Sequence, residues 1–88
     1  LGPLIIIILL IETLYYMNKK NKIKIIVNGK VLTVNQKFSL KNLVEKLKTP
    51  IKKVAIELNR EIVNKKKLGK IYLKNNDKIE IVHFIGGG

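Results

Sequence analysis

The sequence predicts an α+β fold, with one main helix packed on one face of a mixed β-sheet. Three observations lead there. Asn28-Gly29 sits between two alternating apolar runs, the signature of a tight hairpin. Leu40, Leu43, Val44 and Leu47 follow at helical spacing and make a single apolar stripe. Two later runs, Val54-Ala55-Ile56-Glu57-Leu58 and Lys78-Ile79-Glu80-Ile81-Val82-His83-Phe84, read as strands. A helix with one apolar stripe has to cover one face of a sheet.

In chain order, Lys22 to Val34 is the hairpin. A two-residue type I′ loop at Asn28-Gly29 pairs Val27 with Lys30, Ile25 with Leu32 and Ile23 with Val34. Ile23, Ile25, Leu32 and Val34 then share one face, with Lys24 and Thr33 on the other. Ser39 can cap the helix through its hydroxyl, Lys46 and Lys48 suit the negative end of its dipole, and Thr49-Pro50 is expected to end it. After the third strand, Asn59-Arg60 turns the chain and Glu61-Ile62-Val63 continues extended. Asn64 to Lys67 reads as a basic solvated loop, Ile71-Tyr72-Leu73 as a short strand, and Asn75-Asn76-Asp77 as a turn. In the last strand Ile79 and Ile81 share a face, opposite Lys78 and Glu80. The order hairpin, helix, strand, short strand, strand puts the first and last strands side by side and parallel. That is the β-grasp, or ubiquitin-like, arrangement.

Composition narrows the chemistry. The chain has 88 residues and no Cys, which excludes disulfides, thiolate metal sites and cysteine nucleophiles. With one His and six acids in all, no metal cluster or catalytic triad is expected, and the side chains are expected to do no catalysis. The net charge of +12 often signals nucleic acid. Here it comes almost wholly from Lys, alongside abundant Asn and Ile, as AT-rich codons would produce. Arg, the residue of bidentate phosphate and guanine contacts, occurs once, so no nucleic-acid partner is expected.

Residues 1–16 form an apolar N-terminal segment with an unbroken aliphatic run from Leu4 to Ile11. The run falls short of the roughly 20 apolar residues that a bilayer span needs, so no stable membrane insertion is expected. It reads as an upstream extension of the reading frame, with Met17 as the natural start and a short membrane-associating anchor as the alternative. The core domain is then 17–85, and 86–88 is a glycine tail.

That tail is the most informative part of the sequence. Gly86-Gly87-Gly88 follows the last strand after Ile85 and leaves a C-terminal carboxylate on a stalk without side chains. Backbone of this kind can pass where a Cβ would be excluded, such as the narrow entry of an active site.

Ile25-Ile26-Val27-Asn28-Gly29-Lys30, Val54-Ala55-Ile56-Glu57-Leu58-Asn59, Glu61-Ile62-Val63 and above all Asp77-Lys78-Ile79-Glu80-Ile81-Val82-His83-Phe84-Ile85-Gly86-Gly87-Gly88 resemble the ThiS family, the sulfur carriers of thiamine thiazole biosynthesis. The resemblance covers about residues 23–88. Two departures lie in loops: Arg60 stands where members often have Gly, and Asn64-Lys65 where they often have Pro-Arg. The resemblance implies a protein cosubstrate rather than an enzyme. An adenylating, E1-like enzyme would activate Gly88 with ATP, and no cofactor would be bound by the chain itself. Sulfur from a persulfide, supplied by a cysteine desulfurase system, would replace AMP to give a thiocarboxylate, and thiazole synthase would take the sulfur. Gly88 is the covalent attachment point and Gly86 and Gly87 the lead-in.

Alternation in the last strand turns Val82 and Phe84 away from Ile79 and Ile81, which makes them candidates for partner docking beside the tail. His83 has no acidic neighbour in the local sequence and is expected to be structural rather than a general base. Two rival functions are a sulfur carrier like the small subunit of molybdopterin synthase, and a basic RNA-binding module. The second would call for clustered Arg and stacking aromatics on the sheet. A plastid stroma or a bacterial cytoplasm would suit such a chain.

Overall fold

Two adjacent residues with positive φ, Asn28 at 48° and Gly29 at 80°, form the first hairpin turn, as a type I′ loop requires. The computed structural model describes residues 2–84; Ile85, Gly86, Gly87 and Gly88 lie outside the described residues. Strand β1 (Lys22–Val27) pairs with β2 (Lys30–Asn35) in the expected register, Ile23 to Val34, Ile25 to Leu32 and Val27 to Lys30. Ile23, Ile25 and Val34 are buried on the face expected for them.

Ser39 caps the main helix, α2 (Leu40–Lys46), which follows an N-terminal helix, α1 (Pro3–Lys20). The Asn42 backbone N–H donates to Ser39 Oγ, and the Ser39 backbone N–H donates to Asn42 Oδ1, both at 3.0 Å. Asn42 thus fills the place that Glu or Gln holds in the usual capping box. Leu40, Leu43 and Val44 are buried, but Leu47 is 42% exposed, contrary to the expected stripe. The reason lies in how the helix stops. Lys48 takes φ 53°, the Lys48 N–H donates to the Glu45 carbonyl at 3.1 Å, and the Thr49 N–H donates to the Val44 carbonyl at 2.9 Å. This is a Schellman ending, and it closes the helix before Thr49-Pro50 can act.

A short 3-10 turn (Ile51–Lys53) leads into β3 (Val54–Leu58). Asn59 and Arg60, with φ of 50° and 72°, make a second type I′ turn into the two-residue strand β4 (Glu61–Ile62). The segment expected to be a basic loop is instead a 3-10 helix, Lys65–Lys70. Asn64 Oδ1 accepts from the Lys66 N–H at 3.0 Å to start it, and the buried Leu68 holds it on the core. The strand expected at Ile71-Tyr72-Leu73 is reduced to one bridge between Ser39 and Tyr72. The Leu40 N–H donates to the Ile71 carbonyl and the Leu73 N–H to the Phe38 carbonyl, so these residues stitch the helix entry instead of widening the sheet.

The last strand, β5 (Lys78–His83), enters the middle of the sheet, whose order is β2-β1-β5-β3-β4. It runs parallel to β1 and antiparallel to β3. This is the β-grasp topology: a mixed five-stranded sheet with α2 on one face. The core gathers Ile25, Leu40, Leu43, Val54, Ile56 and Ile79 with no exposed surface. Burial of each is worth about 1.5–3 kcal/mol.

Helix α1 (Pro3–Lys20) precedes the sheet and passes position 17 without a break. Its aliphatic side chains, Leu4 through Ile11, are exposed on every side, and none belongs to the core cluster. Among the described residues no helix is long and apolar enough to cross a membrane.

Candidate functional site

Strand β5 delivers the chain to its C-terminal glycines, and the fold braces it from both sides. On the β1 side, the Asn28 N–H donates to the Ile79 carbonyl at 2.9 Å. The Asn28 side chain then takes over from the ladder: Oδ1 accepts from the Ile81 N–H at 2.7 Å and Nδ2 donates to the Ile81 carbonyl at 3.4 Å. On the β3 side the other turn asparagine does the same lower down. Asn59 Oδ1 accepts from the Lys78 N–H at 2.9 Å, and its Nδ2 donates to Asp77 Oδ1 at 3.0 Å. Both asparagines therefore have two duties, a positive φ in a hairpin turn and a side-chain bond to the central strand. Sequence reasoning found the turn at both and the positive φ at Asn28, and missed the side-chain bonds. The signal available was that Asn, unlike Gly, brings an amide able to pair with a neighbouring backbone.

The top of β5 pairs with the start of β3, Val54 opposite His83 and Ala55 opposite Val82. One residue beyond the strand, the Phe84 N–H donates to the Lys53 carbonyl at 2.9 Å. This bond lies four positions before the terminal Gly88 in the sequence. Gly86, Gly87 and Gly88, the residues expected to carry the chemistry, lie outside the described residues.

Val82 and Phe84 are 55% and 48% exposed. Val82 points away from the face that holds Ile79, beside the small Ala55. The Lys65 ammonium stands 5.2 Å from the centre of the Phe84 ring, within cation–π range. His83 is exposed and held by its backbone pairing to Val54. Among the described residues no three His, Cys, Asp or Glu side chains gather as a metal site would require. What the described elements offer is a braced strand end with exposed apolar side chains, Val82 and Phe84, four positions before the C-terminal residue.

Comparison with known proteins bears on this geometry. The model of the ThiS family matches residues 25–88. A thiazole synthase of Paramagnetospirillum magneticum is 37% identical over 65 residues, which is 74% of this chain and 20% of that protein. The sulfur carrier protein ThiS of Bacillus subtilis is 49% identical over 35 residues, 40% of this chain and 53% of that protein. The chain thus spans about a fifth of the thiazole synthase and about half of the carrier. The crystal structure of thiamine biosynthesis protein ThiS from Geobacter metallireducens superposes with a TM-score of 0.67 at 30% identity, over 75% of this chain and 100% of that one.

Proposed function

This chain belongs to the ThiS family, and we propose that it serves thiamine biosynthesis as a sulfur carrier whose working group is the C-terminal carboxyl of Gly88. The observation that carries the reading is the placing of β5: the central strand, pinned by Asn28 and Asn59, is the element that immediately precedes the three glycines in the sequence. A carrier needs that combination. The domain must be rigid enough to be recognised, and the terminus slim enough to enter another protein's active site.

The chemistry follows from the carboxylate. As an anion it is a poor electrophile, so one of its oxygens first attacks the α-phosphorus of ATP and pyrophosphate leaves. A persulfide sulfur then attacks the acyl carbon and AMP leaves. Two-electron reduction by a thiol cleaves the resulting acyl disulfide and frees the thiocarboxylate, a good sulfur nucleophile. Each catalytic group in this sequence belongs to the partner: an E1-like adenylating enzyme, a cysteine desulfurase system as sulfur source, and thiazole synthase as acceptor. The chain itself is a protein cosubstrate. The match to one fifth of a thiazole synthase supports the last pairing, since there a segment like this chain shares a polypeptide with the acceptor. The bacterial relatives suit a bacterial cytoplasm, with a plastid stroma as the alternative.

Adenylation can be tested by itself. With the adenylating enzyme and ATP, the full chain should support exchange of labelled pyrophosphate into ATP, and a chain lacking Gly88 should not. Exchange that proceeds equally with both would contradict the assignment of Gly88.

A further inference from the structure

Lysine covers much of this chain, but one group of lysines surrounds an apolar floor. An open groove of about 510 Å³ runs between α2 and the 3-10 helix Lys65–Lys70. Val44, Ile51 and Leu68 line its floor, and five lysines line it as well, among them Lys65, Lys66 and Lys70. Glu45 is the one acid among the described residues of the lining. Like charges held round an apolar trough repel one another, and an occupant that is negative at its sides and apolar at its tip relieves this while covering the floor.

Two features select among anionic occupants. The rim cations are all Lys, point charges without the planar fork that reads phosphate or guanine bidentately. No aromatic side chain lines the groove, so nothing offers a base a surface to stack on. Both favour Asp and Glu side chains of a protein over nucleic acid. The groove also lies close to Phe84, because Lys65 both lines it and stands over the Phe84 ring. Gly88 lies four positions beyond Phe84 in the sequence, and four residues fully extended reach at most about 14 Å. An enzyme acting on the terminal carboxyl must therefore bring its own surface up against the domain around Phe84, beside the Lys65 side of the groove.

We propose that this groove docks an acidic, apolar-tipped segment of the enzyme that works on the C-terminal glycine; the proposal rests on the carrier reading above. The test compares two double variants that change net charge equally. Lys66→Glu with Lys70→Glu alters the rim, and both residues are exposed. Lys22→Glu with Lys74→Glu alters exposed residues at the other end of the sheet, below the start of β5. Circular dichroism confirms folding of each. In the pyrophosphate-exchange assay with the adenylating enzyme, the rim variant should raise KM for the carrier about tenfold or more while kcat stays within about twofold. The distal variant should leave both within about twofold to threefold, as screened long-range charge would. Added salt should raise the wild-type KM more steeply than that of the rim variant.

Equal KM increases in the two variants would overturn the proposal, because the effect would then be a general field. A fall in kcat at unchanged KM would overturn it too. If the rim variant loses binding of a single-stranded RNA ten-mer while its KM is unchanged, the groove is a nucleic-acid surface and the proposal fails. Exchange by the wild-type chain is the separate readout of the carrier reading: its absence removes both, and its presence with equal variants removes the groove alone.

Discussion

Asn28 Oδ1 accepts the Ile81 N–H at 2.7 Å, so the tip of the first hairpin holds the centre of the last strand. These residues are 53 positions apart in sequence. The bond lies beyond the last β1–β5 backbone pair, Val27 to Ile79, and prolongs the parallel ladder by one side chain.

Two substitutions separate the turn from the bond. Asn28→Gly keeps a residue at ease with φ 48° and removes the amide. It should cost about 1 kcal/mol, the net worth of one hydrogen bond. Asn28→Ala loses the amide and adds backbone strain of about 1–2 kcal/mol. Urea denaturation should rank wild type above Asn28→Gly and Asn28→Ala last. Equal stability of all three would show that the side-chain bond contributes nothing.

Lys48 and Arg60 hold φ of 53° and 72° in a helix ending and a type I′ turn, positions that glycine favours. Lys48→Gly and Arg60→Gly should each raise stability by up to about 1 kcal/mol, the relieved strain exceeding the extra freedom of the unfolded chain. Thermal melting of the two single variants and the double variant reads this. A lower melting temperature for Arg60→Gly would mean that the Arg side chain makes compensating contacts.

Because none of the aliphatic side chains from Leu4 to Ile11 joins the core cluster, a chain that starts at Met17 should keep the cooperative transition of the full chain. The midpoint in urea should move by less than about 0.5 kcal/mol of stability, as for changes away from buried groups. Loss of the transition in the shorter chain would place the aliphatic run in the folded core.

Val82→Asp and Phe84→Asp should leave melting nearly unchanged, since both side chains are about half exposed. Binding to the adenylating enzyme or thiazole synthase should weaken by several kcal/mol, on the scale of an unpaired charge in a desolvated contact. Calorimetric titration beside a thermal melt separates the two. A large drop in melting temperature for Phe84→Asp would assign the ring to the fold.

Much of this architecture is legible locally. Asn28-Gly29 sets the register of β1 against β2, and Ser39 marks the helix start, because both are short-range chemistry of a turn and a cap. The misses share one cause: they are decided by partners far along the chain or by residues in conformations unusual for their type. Lys48 ends α2 although Lys carries no sign of a left-handed residue. Leu68 turns a run of lysines into a 3-10 helix by burying itself in the core cluster with residues distant in sequence. Ile71 and Leu73 give their backbone bonds to the helix entry at Leu40 and Phe38, which no alternation pattern reveals. At the site, the exposure of Val82 and Phe84 was readable from strand alternation, whereas the braces from Asn28 and Asn59 needed the topology.

The most direct measurement is the intact mass of the chain after incubation with the adenylating enzyme, ATP, a persulfide sulfur source and a thiol reductant. The full chain should gain the mass difference between sulfur and oxygen at its C-terminus, and alkylation should trap the thiocarboxylate there. Gly87→Val should gain little, because a Cβ obstructs a close-fitting channel while the carboxylate remains, and a chain lacking Gly88 should gain none. A full chain that never acquires this mass with active partners, or a Gly88 deletion that acquires it as readily as the full chain, would contradict the account.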